Sequence, residues 1–125
     1  MLDQYAGFFQ ALPQASRMPE APRNDLLATY LSGSAYRKTV ETLSSQAAFD
    51  KVVYGEVVLH PEVTSIDTST AVVRDCQDTS NSGVKDRKTG RKDTKGIPRA
   101  LVVADLRTDG GTWKIVRIDY RGARC

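Results

Sequence analysis

The sequence predicts an α+β fold in which three N-terminal helices pack against a curved antiparallel sheet. Three observations lead there. Apolar residues recur at three- and four-residue spacing as far as Phe49. From Asp50 onward the pattern changes to alternation. Turn signals separate the alternating runs, above all Thr108-Asp109-Gly110-Gly111. Helices first and hairpin-joined strands afterwards is the α+β order.

The elements follow in turn. Leu2, Tyr5, Phe9 and Leu12 predict a helix over 2–12, ended or kinked by Pro13. Pro19 and Pro22 mark a connector. Asn24 is a good N-cap for a short helix to about Leu31. Ser34 caps a third helix to about Phe49, with Tyr36, Val40, Leu43 and Ala47 on one face. The first strand, 52–60, is apolar on both faces and reads as central and largely buried. His60-Pro61 breaks it, and a short strand follows over 63–67. Residues 70–106 read as one β-hairpin with arms 70–78 and 98–106. Its tip is long and charged. Ala71, Val73 and Asp75 share one face of the first arm, and Val72, Arg74 and Cys76 the other. The last strand is 112–120, with Trp113 and Ile115 on one face and Val116, Ile118 and Tyr120 opposite.

A chain of 125 residues makes one domain, 1–125, with a core that needs no metal. No apolar run reaches the roughly 18–20 residues of a membrane helix, and Met1 is not followed by a signal-peptide pattern. The net charge of +3 comes from 18 basic and 15 acidic residues. Lys85, Arg87, Lys88, Arg91, Lys92 and Lys95, against Asp86 and Asp93, give the hairpin tip +4, so the remainder carries −1. The basic character is local. Two cysteines, Cys76 and Cys125, suit one disulfide in an oxidising compartment; two unrelated free thiols are the alternative. With one histidine, His60, there is no Cys/His metal set and no cofactor motif.

The order α-α-α-β-β-β-β-β, with the long helix just before the first strand, resembles the nuclear-transport-factor-2-like superfamily. That resemblance implies a cone: a strongly curved sheet wrapped round a helix, leaving an open apolar pocket. Ketosteroid isomerases and polyketide cyclases share it. The strand Thr70-Ala71-Val72-Val73-Arg74-Asp75-Cys76-Gln77-Asp78-Thr79-Ser80 is similar to one in small secreted or lipoprotein-type domains of unknown function from actinobacteria. So are Asp86 and Thr89-Gly90 in the hairpin loop, the Asp109–Val116 stretch around Trp113, and the final Cys125. The resemblance implies a Cys76–Cys125 disulfide, an extracytoplasmic location and no established catalytic residues. Such domains usually follow a lipoprotein signal or a membrane helix, and neither is in this sequence.

Three functions are open at this stage. The favoured one is a non-catalytic extracytoplasmic module that binds a protein partner or a small apolar ligand, often as a homodimer through the open sheet face. Its pocket candidates are Tyr5, Phe9, Tyr36, Tyr54, Asp75 and Asp105; the plainer reading makes the aromatics core and the acids partners of the strand arginines. The second is an isomerase- or cyclase-type enzyme, which needs a pocket carboxylate as base and a facing donor. The third is anion or nucleic-acid binding through Lys85, Arg87, Lys88, Arg91, Lys92 and Lys95. No aromatic residue is interleaved there, which speaks against base stacking. A solvated, mobile loop is the plainer reading of that tip.

Overall fold

The computed structural model describes residues 1–125. Three helices come first: α1 (Leu2–Ala15), α2 (Glu20–Tyr30) and α3 (Gly33–Ala48). Six strands follow: β1 (Lys51–Gly55), β2 (Pro61–Ile66), β3 (Thr70–Gln77), β4 (Ser82–Asp86), β5 (Ala100–Thr108) and β6 (Trp113–Tyr120). The architecture is three helices on a curved antiparallel sheet, as the change of period predicts.

The prolines mislead at two helix boundaries. Pro13 lies inside α1 instead of ending it, one turn before the C-cap Ser16. Its own carbonyl accepts from Ser16 Oγ and Arg17 Nη1, both at 2.7 Å, which keeps the last turn satisfied. Helix α2 starts at Glu20 behind Pro19 and not at Asn24. Pro22 then falls in the first turn, where its missing N–H has no intrahelical partner to lose.

A four-stranded sheet has the order β2-β3-β5-β6, and β1 pairs only with β4 in a separate two-stranded ribbon. The hairpin arms align in unbroken register from Thr70↔Arg107 to Gln77↔Ala100. The expected central strand over 52–60 is instead short and at an edge. Gly55 ends it at φ +80°, and a Cβ there would run into the Asn81 carbonyl, so the backbone turns where only glycine fits. The hairpin tip also differs from a plain loop. Its first half, β4, folds back and pairs with β1 from Lys51↔Asp86 to Gly55↔Ser82.

In β6 a bulge shifts the register between Asp105↔Arg117 and Leu106↔Ile115. The extra residue puts Ile115, Ile118 and Tyr120 on one face, opposite Leu106, Ala104 and Val102, so the expected split of Ile115 from Ile118 and Tyr120 does not occur. The core lies between this face and the helices. It is built on Tyr5, Phe8 and Phe9 of α1, Leu27, Leu31, Leu43, and the inward side of β3, β5 and β6.

Candidate functional site

The helices do not fill the mouth of the curved sheet. One half of the resulting groove, about 450 Å³, lies between α1, α3 and the end of β6. Phe8, Leu12, Ala35, Leu43 and Ile118 supply its apolar wall, and Lys38, Thr39, Thr42 and Gln46 its rim. The other half, about 200 Å³, runs under the β1–β4 ribbon past Phe9, Tyr54 and Gln77. Leu12, Val53 and Tyr120 border both. Tyr120 is 62% exposed, and the surface it exposes is groove wall.

Behind the groove lies a buried carboxylate. Strand alternation turns Asp75 inward between Val73 and Gln77, and it has no exposed surface. Tyr5 Oη donates to its Oδ2 at 2.7 Å. Gln77 Nε2 donates to the same oxygen at 3.3 Å and to Tyr5 Oη at 3.2 Å. The backbone N–H of His60 donates to Oδ1 at 2.6 Å. Asp75 thus has donors on both oxygens and no salt-bridge partner. Burial, and then the Asp75 hydrogen bond and charge, hold the Tyr5 phenol well above its ordinary pKa.

The pocket candidates therefore separate. Phe9 and Tyr54 line the groove, while Tyr5 and Asp75 lie sealed behind it. Tyr36 packs half-buried against the core and does not line the groove. Asp105 stands on the opposite sheet face, across from Arg117, because its odd position on β5 points away from Ala104 and Leu106. The Tyr54 hydroxyl is spent on the Thr94 carbonyl at 2.9 Å. His60 contributes structure: its backbone N–H serves Asp75, and Nδ1 donates to the Cys76 carbonyl at 2.8 Å. No group of three His, Cys, Asp or Glu side chains gathers to hold a metal. Sequence reasoning missed Gln77, whose inward position on β3 was the available signal, and it read Tyr120 only as part of a strand face.

The basic tip is a folded turn. The Asp86 carboxylate accepts the backbone N–H groups of Lys88 and Thr89, and the Thr89 bond, then Lys88 and Lys51, hold its pKa below the usual range. Lys51 bridges Asp93 at 2.7 Å and Asp86 at 3.7 Å. Lys88 pairs with Asp50 at 3.1 Å, and Lys92 stands 4.9 Å over the Tyr54 ring. Lys85, Arg87, Arg91 and Lys95 have no carboxylate partner.

Cys76, on the outer face of β3, is bonded to Cys125 with Cα atoms 5.9 Å apart. The tail is also laced to β5, Leu101 N–H donating to the Gly122 carbonyl and Arg121 N–H to the Leu101 carbonyl. That cover explains why Leu101 is buried on an otherwise half-exposed face.

No family model matches the sequence, and no curated protein matches it. Solved structures do. The intermembrane space region of chloroplast protein ARC6 superposes with a TM-score of 0.70 at 12% identity, over 96% of this chain and 92% of that one. An NTF2-like protein from Cytophaga hutchinsonii gives 0.62 at 14% identity, over 97% and 93%. A protein of unknown function with a cystatin-like fold from Nostoc punctiforme gives 0.52 at 13%, over 95% and 85%. At these identities the likeness is one of fold, and the fold of this chain is the nuclear-transport-factor-2-like, or cystatin-like, α+β cone.

Proposed function

We propose that this protein is a non-catalytic, extracytoplasmic binding module whose groove holds a small apolar ligand. The observation that carries the proposal is the groove of two adjoining cavities bordered in common by Leu12, Val53 and Tyr120, open to solvent and mainly apolar along its wall. The Cys76–Cys125 disulfide supports the compartment, since such bonds persist where thiols are kept oxidised. Titration with a neutral apolar fluorophore, N-phenyl-1-naphthylamine, tests the groove. Thr39→Trp places an indole in it from half-buried α3 and should abolish the binding seen in wild type. Unchanged binding in that variant would sink the reading.

The enzyme reading is weaker because Asp75, the one enclosed strand acid, is cut off from the groove and already accepts on both oxygens. A second copy on the outer sheet face would meet Arg74, Asp105, Arg117 and the tail around the half-buried Val72 and Val103. Anion binding retains Lys85, Arg87, Arg91 and Lys95 as its free charges.

A further inference from the structure

Gln77 is 2% exposed, yet it lines the groove. Its amide is held from behind. Nε2 stands 3.2 Å from Tyr5 Oη and 3.3 Å from Asp75 Oδ2, two oxygens only 2.7 Å apart, so one N–H is shared between them. This orientation follows from chemistry. The Tyr5 proton is committed to Asp75, so both groups facing the amide present lone pairs. Turning Oε1 toward them would set oxygen against oxygen beside a buried negative charge. The amide nitrogen must face inward, and the carbonyl is left for the groove. No donor of the protein meets that Oε1.

A carbonyl oxygen without a donor, facing a mainly apolar groove, defines a chemical demand. An occupant that is apolar throughout strips it of water and returns no hydrogen bond.

Resting on the binding reading above, we infer that the groove selects an apolar molecule bearing a hydroxyl or N–H donor, such as a phenol or alcohol, and that Gln77 Oε1 is the acceptor. Asp75 and Tyr5 are positioning residues: they fix the amide and touch no ligand. The buried carboxylate, idle as a base, thereby determines which way a neutral amide faces.

The test is a matched pair of probes at neutral pH: 2-naphthol, which donates, and 2-methoxynaphthalene, which cannot. Wild type should bind the naphthol about fivefold to tenfold more tightly. Gln77→Leu should bring the two affinities together, chiefly by weakening the naphthol. Tyr5→Phe, which removes one of the two lone-pair partners that fix the amide, should narrow the gap. Should Gln77→Leu not fold, the carbon-13 resonance of the Gln77 side-chain carbonyl in wild type takes its place, and must shift with naphthol and not with the ether. Equal binding of both probes by wild type overturns the inference and leaves the groove standing. A preference that survives in Gln77→Leu overturns it too. If neither probe binds, the groove reading itself fails and takes the inference with it.

Discussion

Tyr5 and Asp75 lie 70 residues apart in the chain and 2.7 Å apart in the fold, joined by one hydrogen bond that no water reaches. The first helix is stitched to the third strand at this point. The bond is charge-assisted and enclosed, conditions under which a hydrogen bond contributes most. Tyr5→Phe removes it while keeping the ring, and should cost about 1.5–3 kcal/mol in urea denaturation. A cost near zero would mean that the carboxylate is satisfied without the phenol.

The same pair sets a behaviour at alkaline pH. The Tyr5 pKa is raised in the folded state above its ordinary 10.0. Below pH 10 the benefit is fully present. Above it the unfolded chain releases the proton while the folded chain keeps it, so stability falls by about 1.4 kcal/mol per pH unit from this residue. The stability difference between wild type and Tyr5→Phe should therefore shrink as pH rises from 10. A difference independent of pH would show the phenol to be unperturbed.

The disulfide closes a separation of 49 residues. On the chain-entropy model that is worth about 4 kcal/mol. Cys125→Ser should lower the unfolding free energy from urea denaturation by an amount of that order, and Leu101 should gain solvent exposure as the tail detaches. Amide exchange at Leu101, whose N–H donates to Gly122, reads the second effect directly.

The basic tip divides into two sets. Charge reversal at Lys88 and Lys92 breaks the Asp50 pair and the stacking on Tyr54, so it should lower the thermal midpoint. Reversal at Lys85, Arg87, Arg91 and Lys95 should leave the midpoint within error and shorten retention on a heparin column. Loss of stability in the second set would show that these side chains also hold the turn.

Much of the fold was written in local pattern. The helical spacing of Leu2, Tyr5, Phe9 and Leu12, and the alternation of Ala71, Val73 and Asp75, each name the buried face without help from the rest of the chain. What failed was non-local. Strand β4 carries a single large apolar residue, Val84, and becomes a strand only because β1 is there to pair with it. The split of β6 was misread because one bulged residue reverses the alternation, and nothing in Ile115-Val116-Arg117 announces a bulge. For the site, inward Asp75 was legible. Its partner was not, since no local signal links a strand acid to a helix tyrosine so far upstream. Gln77 passed unnoticed because an inward glutamine means little until its amide is seen to be fixed.

Cys76 lies between Asp75 and Gln77 on β3, facing the opposite way. In a Cys125→Ser variant, position 76 becomes the chain's single thiol. A spectroscopic label attached there would sit one peptide bond from both residues of the enclosed network and outside the groove. It could register what enters without competing for the space.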